Sequence, residues 1–166
     1  QRQVQERLLA LYPDIQFMGE EKDNSGIDFA GAVWILDPVD GTTNLVHRFD
    51  HSAVSLALAV DSRLELGIVY NPYRDELFHA VRGGGAYLNG NPIHVGPAAQ
   101  MREALISVGT APYYHELADR NFERIKSIFL DCQDIRRLGS AALDLSYVAC
   151  GRIDAYFEPN LKPWDY

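Results

Sequence analysis

Apolar residues recur at helical spacing from Val4 to Leu11, and Pro13 stops that helix because proline disfavours a helical residue before it. Gln16–Met18 is a short extended run. Lys22–Gly31 is polar and glycine-containing and predicts a loop. Ala32–Leu36 is apolar throughout, as a strand buried on both faces should be. Three strands follow at Ala53–Val60, Leu64–Asn71 and Glu76–Val81, with turns at Asp61-Ser62 and Asn71-Pro72-Tyr73. Links this short favour antiparallel neighbours. Gly83-Gly84-Gly85 and Asn89-Gly90-Asn91-Pro92 mark tight turns around Ala86–Leu88, and Leu105–Val108 predicts another strand. Helical spacing returns over Glu116–Leu130. Ile135–Leu138 is extended, Ser140 has the chemistry of an N-cap for a helix ending at Gly151, and Ile153–Phe157 is a last strand. Strands followed by helices predict an α+β layered fold rather than a regular parallel array.

The chain has 166 residues and a formal net charge of −8. That length suits one domain with a substantial core. The acidic balance argues against a nucleic-acid partner, which selects a basic surface. It also means that a phosphorylated ligand needs bound cations to offset repulsion. Cys132 and Cys150 have neither zinc nor CxxC spacing, so both are expected to be reduced and buried. The longest apolar run, Ala53–Val60, is far too short to cross a bilayer, and no membrane partner is expected. Gln1 begins within a helical pattern and Trp164-Asp165-Tyr166 ends abruptly, so the chain is expected to be a fragment lacking both ends.

The chemistry concentrates in Trp34-Ile35-Leu36-Asp37-Pro38-Val39-Asp40-Gly41-Thr42-Thr43-Asn44. A strand runs into two carboxylates three residues apart, with Pro38 expected to stiffen a turn between them and to free the Val39 carbonyl. Magnesium takes oxygen ligands in near-octahedral geometry, which such an acid pair supplies. Gly41 lets the backbone approach an anion closely, and Thr42 and Thr43 offer N–H and hydroxyl groups at a helix start. On its own DxxDG is more often an ordinary turn. An EF-hand fits less well, because the twelfth position from Asp37 is Arg48 rather than Glu. His47 and His51 lack a metal-like spacing and read as packing or hydrogen-bonding residues. The Tyr and Phe residues, spread along strands and helices, read as core. No GxxxxGK[ST] or GxSxG motif is present.

Gly19-Glu20-Glu21, the central motif, Gly139-Ser140-Ala141-Ala142, Glu158 and Trp164-Asp165 occur in an order and spacing that resemble the inositol monophosphatase family, magnesium-dependent and typically lithium-sensitive phosphatases. The resemblance covers nearly the whole chain. It implies a layered α-β-α-β-α sandwich of the inositol monophosphatase/fructose-1,6-bisphosphatase type. Residues 1–110 would form a metal-binding portion with a large, largely antiparallel sheet, and residues 111–166 the start of a substrate-pocket portion with an incomplete second sheet. It further implies two or three Mg2+ ions. Glu20, Asp37 and the Val39 carbonyl would hold the first. Asp37, Asp40 and Asp165 would hold the second, and Glu20 would help with a third. Thr42, beside Glu20, would help activate the attacking water, with Glu20, Thr42 and Asp40 as the catalytic set. Gly41 and Thr42 N–H groups would bind phosphate. Asp40, Ala141, Glu158 and Asp165 would contact the substrate, and Glu21 would support the ligands from behind. The implied activity is hydrolysis of a small sugar or inositol phosphate by in-line attack, most simply as an inositol-1-phosphatase. Fructose-1,6-bisphosphatase, histidinol-phosphate phosphatase and a non-catalytic regulatory protein of the same fold are the alternatives. A cytoplasmic homodimer is implied by the resemblance alone.

Overall fold

A computed structural model describes residues 1–166. Helix α1 (Arg2–Leu11) leads to β1 (Gln16–Gly19) and β2 (Ala32–Asp40). A single-turn helix α2 (Thr42–Val46) follows. Strands β3 (Ala53–Val60), β4 (Arg63–Asn71), β5 (Glu76–Val81), β6 (Gly85–Leu88) and β7 (Asn91–Pro92) come next. These seven strands form one sheet in chain order, antiparallel throughout except for the parallel β1–β2 pair. A second, three-stranded sheet is all parallel, with β8 (Leu105–Val108) between β10 (Ala155–Phe157) and β9 (Asp134–Arg136). Helix α3 (Ala118–Asp131) covers the small sheet, and α4 (Ala141–Ala149) packs against strands of both sheets. The fold is α+β, with a mostly antiparallel large sheet and a smaller parallel one, as the pattern and the resemblance lead one to expect.

Period-two alternation explains how β2 is buried on both faces. Trp34 and Leu36 pack with Phe17 against Val4 and Leu8 of α1. Val33 and Ile35 pack on the opposite side with Met18, Ala59 and Trp164. The two faces thus read as an unbroken apolar run. A separate core beneath α4 joins Ala53, Phe78, Leu143, Tyr147 and Ile153. It is tied at its edge by Arg152, whose guanidinium meets the Glu76 carboxylate with two bonds of 2.6 and 2.9 Å and lies 4.9 Å from the Tyr147 ring centroid. A bidentate pair adds directional specificity to the packing.

Several details depart from the sequence reading. Pro38 sits inside β2 rather than in a turn, because β1 has already ended opposite Leu36 and the missing N–H has no partner to disappoint on that side. The helix expected from Glu116 begins as a 3-10 turn, His115–Leu117, before α3. The extended segment expected at Ile135–Leu138 is a strand only over Asp134–Arg136, and Ile153 precedes the last strand as a buried bend. Both cysteines are free but only half-buried. Several aromatic residues are not core: Tyr113, Phe49, Phe122 and Phe129 are largely exposed.

Candidate active site

The register of β2 against β3 accounts for the three-residue spacing of the acids. Asp37 lies opposite Ser55 and Asp40 opposite Ala53, so β2 uses three steps where β3 uses two. That extra residue is a β-bulge. In a regular strand residues two apart share a face; across a bulge, residues three apart do. Asp37 continues the face of Val33 and Ile35, and the bulge returns Asp40 to it. Trp164 packs on that same face, which brings Asp165 to the pair. Carboxylate oxygens of Asp37, Asp40 and Asp165 lie within 4.8 Å of one another.

Each of the three is oriented by the fold through one oxygen. Asp37 Oδ1 accepts the Val39 N–H at 2.8 Å. Asp40 Oδ2 accepts the Ala142 N–H at 2.8 Å and the Ser140 hydroxyl, so a β2 acid ties down the first turn of α4 a hundred residues away. Acids are favoured at such helix starts, where the first N–H groups lack intrahelical partners. Asp165 Oδ2 accepts the Lys162 N–H at 2.6 Å.

Burial makes the cluster electrostatically costly. It pushes Asp37 up to about 8, reinforced by the charges of Asp40, Glu20 and Asp165 and opposed by the Val39 N–H. Asp40 is pushed up to about 6, burial outweighing its bonds to Ser140 and Ala142. Asp165 and Glu20 are raised, again chiefly by burial. No Lys or Arg side chain forms an ion pair with any of the four. Hard oxygen donors, crowded and with only Lys162 near Asp165 to offset their charge, fit a divalent cation.

The structure brings Asp37, Asp40 and Asp165 together. Glu20 lies beside them and is close enough to Asp37 for the two carboxyls to share a hydrogen bond, but it stands outside the tight trio. Glu21 is exposed, and its N–H contacts the Gln1 side chain. Thr42 Oγ1 donates to the Val39 carbonyl at 3.0 Å, which couples two of the expected site groups to each other. Gly41 has φ +85°, and a Cβ there would stand 3.1 Å from the Gly139 and His51 carbonyl oxygens, so only glycine fits this turn. Glu20, Val39, Gly41, Thr42, Ala141 and Glu158 all line one cavity of about 610 Å³ with the three aspartates.

Glu158 is held by the fold. Its carboxylate accepts the Ala111 N–H at 3.1 Å and the Tyr156 hydroxyl, and it packs so tightly on Gly109 that a Cβ there would collide with it. His51 is half-buried edge-on to Tyr147, in keeping with a packing role, and burial lowers its pKa. His47 lines the cavity.

Three features escaped the sequence reading. Asp144 is a fully buried acid on α4 that accepts the Ser107 hydroxyl at 2.8 Å, and burial pushes it up to about 7. Arg137 lines the cavity without a carboxylate partner, its Nε donating to Thr110 Oγ1 at 3.3 Å. Tyr113 lines it with its ring mostly in solvent. The Arg136-Arg137 pair before Gly139 was a visible signal for the second of these; nothing in the local pattern marked the other two.

Comparison with known proteins agrees with this geometry. The sequence matches the family model described as the inositol monophosphatase family over residues 1–166. It is 42% identical over 156 residues to a Salmonella typhimurium protein named Nus factor SuhB, covering 93% of this chain and 58% of that one. It is 39% identical to a Rhizobium meliloti inositol-1-monophosphatase over 166 residues, covering 99% of this chain and 62% of the relative. The solved inositol monophosphatase from Anabaena superposes with a TM-score of 0.93 at 36% identity, covering 98% of this chain and 64% of that one. The chain therefore spans about three fifths of the length of these relatives. With a bulged acid pair, a third aspartate carried in on Trp164 and a family match along its whole length, the chain belongs to the inositol monophosphatase family.

Proposed function

We propose that the protein is a magnesium-dependent phosphate monoester hydrolase of the inositol-1-phosphatase type. The observation that carries this reading is the convergence of Asp37, Asp40 and Asp165 within 4.8 Å with no Lys or Arg side chain in an ion pair with them. The residues fit the ion: Glu20, Asp37 and the Val39 carbonyl would hold one Mg2+, and Asp37, Asp40 and Asp165 another, with Glu20 contributing to a third. Bound magnesium would supply the positive charge that offsets the phosphoryl group and eases deprotonation of water.

The chain's own groups do the positioning, which dominates catalysis of phosphoryl transfer. Gly41 and Thr42 offer backbone N–H groups to phosphate oxygens at a turn whose shape a larger residue would not tolerate. Thr42, through its bond to the Val39 carbonyl, fixes that turn relative to the acids and would hold the proton of the attacking water together with Glu20. Asp40, locked to α4 through the Ala142 N–H, would hold Ala141 against the substrate. Asp165 and Glu158 would receive substrate hydroxyls. Inositol 1-phosphate is the leading substrate. Fructose 1,6-bisphosphate and histidinol phosphate are the alternatives for the same acid cluster. Cytoplasmic location, lithium sensitivity and a homodimer belong to this reading. No helix is long and apolar enough to cross a membrane.

Release of inorganic phosphate from the three substrates, with and without Mg2+, tests the proposal. Inositol 1-phosphate should be turned over fastest and only with metal, and Asp40→Asn should lower kcat at least about a hundredfold. Phosphate release that ignores either the metal or Asp40 would defeat it. A second reading is favoured by the relative named Nus factor SuhB: a regulatory role on the transcription machinery. Full retention of such a role by Asp40→Asn would support it.

A further inference from the structure

Three acids at and behind the cavity wall receive a hydroxyl group where a cation would be the commoner partner: Asp40 from Ser140, Asp144 from Ser107 and Glu158 from Tyr156. The third pair has a geometry of its own. Tyr156 of β10 lies in parallel register with Ser107 of β8, so both side chains leave the small sheet on the face that α4 covers. Tyr156 does not line the cavity, whereas Glu158, two residues on, does. The tyrosine therefore stands behind the wall and can reach a ligand only through the carboxylate. Glu158 is fixed at both oxygens: Oε1 accepts the Ala111 N–H at 3.1 Å and Oε2 accepts the Tyr156 hydroxyl. Its side chain packs on Gly109, where a Cβ would collide with it, and Gly109 is itself pinned by its N–H to the Phe157 carbonyl at 2.7 Å. The carboxylate thus clasps the start of the loop between β8 and α3.

A lysine or arginine in the place of Tyr156 would offset the charge of Glu158 and bind it as an ion pair. A phenol orients the carboxylate and leaves its charge intact. Tyr156 keeps its proton, because burial and the adjacent Glu158 carboxylate push its pKa well above the ordinary tyrosine value. The polarity of the pair is therefore set: Tyr156 donates, and Glu158 has only acceptor sites to offer. A carboxylate has about four such sites; Ala111 and Tyr156 take two, and the rest are left for a ligand. A free glutamate side chain has rotamers to freeze when it binds, whereas one already held by two donors has few left to lose. A second phosphate on a ligand would bring more acceptors and more negative charge to this wall. A hydroxyl brings the donor that the wall lacks.

We infer that Tyr156 is a positioning residue for substrate recognition: its hydroxyl holds Glu158 as a pre-aimed acceptor for a hydroxyl of the leaving group. The inference rests on the phosphatase reading for the reaction and on the Tyr156–Glu158–Ala111 contacts for the positioning. Steady-state kinetics of the full chain with magnesium compares inositol 1-phosphate with p-nitrophenyl phosphate, whose leaving group carries no further hydroxyl. Loss of one well-aimed hydrogen bond is worth about 5- to 10-fold. Tyr156→Phe removes the hydroxyl and keeps the ring. It should lower kcat/KM for inositol 1-phosphate about 5- to 10-fold relative to p-nitrophenyl phosphate, with the loss in KM rather than kcat. Glu158→Gln should lower the same ratio, and adding Tyr156→Phe to it should lower it little further, because both act through one contact. A merely structural role for Tyr156 would lower both substrates alike. An unchanged ratio, an equal loss on both substrates, a loss confined to kcat, or multiplying effects of the two substitutions overturns the inference. Binding of myo-inositol, followed by saturation-transfer NMR, needs neither phosphate nor turnover. Absence of all hydrolysis with an inositol signal that weakens in Tyr156→Phe overturns the phosphatase reading and leaves the positioning role standing. The same absence with a signal that ignores Tyr156 overturns both.

Discussion

Magnesium binding to the acid cluster must expel protons, and the number follows from the site. With Asp37 pushed up to about 8 and Asp40 to about 6, the metal-free cluster holds a proton on Asp37 at neutral pH. At pH 7 Asp37 is about 90% protonated and Asp40 about 10%, so an ion that needs both carboxylates displaces about one proton. At pH 6 the sum is about 1.5, and above pH 9 it is near zero. The same two groups make the apparent association constant fall about 17-fold between pH 7 and pH 6, and about 11-fold between pH 9 and pH 7. Glu20 and Asp165 are shifted the same way, chiefly by burial, and add to the protons an ion would displace. The four acids titrate as a coupled set, so the counts belong to the cluster rather than to single residues. Calorimetric titration of Mg2+ in two buffers of different protonation heat reads the proton count directly. Fewer than about 0.2 protons released at pH 7, with affinity flat from pH 6 to 8, would refute the claim that these desolvated carboxyls are the ligands.

Asp144→Asn should stabilise the protein in a pH-dependent way. The folded-state pKa of about 7 lies above the unfolded value of 3.8, so the native state holds the extra proton, and stability is lost as pH rises from about 4 through 7. Asparagine keeps the bond from Ser107 without a buried charge. The gain should be under about 1 kcal/mol at pH 4 and about 4 kcal/mol at pH 8 in urea unfolding; a gain that is the same at both pH values counts against the assignment. Gly109→Ala should cost about 1–3 kcal/mol, because the new methyl meets the Glu158 carboxylate that clasps the loop. Urea midpoints matching the parent protein would show that the clasp gives way freely.

Much of the site was legible because its chemistry is carried by residue type at short range. Asp37 and Asp40 announce oxygen ligands, Gly41 an unusual turn, and Ser140 a helix start that the structure caps as expected, accepting from the Leu143 N–H. Asp165 was legible only through the resemblance, since its place depends on Trp164 packing across the sheet. The bulge was hidden because Pro38 suggests a turn, and only the pairing of β2 with β3 reveals the extra residue. Asp144 and Tyr113 were illegible for opposite reasons. An acid in an otherwise apolar helix reads as its solvent face, yet the second sheet buries it through Ser107. A tyrosine reads as core, yet Tyr113 is largely exposed. Burial of a single side chain is decided by contacts far along the chain, which local pattern does not encode.

The central claim is that Asp37, Asp40 and Asp165 share divalent ions beside a phosphate held by the Gly41–Thr42 turn. A crystal structure with Mn2+ and inorganic phosphate, measured at the manganese edge, tests it most directly. Anomalous peaks at about 2.0–2.3 Å from oxygens of Asp37, Asp40 and Asp165, with phosphate against the Gly41 and Thr42 N–H groups, are the result expected. No anomalous peak among the three carboxylates, with the ion bound elsewhere or not at all, would contradict it.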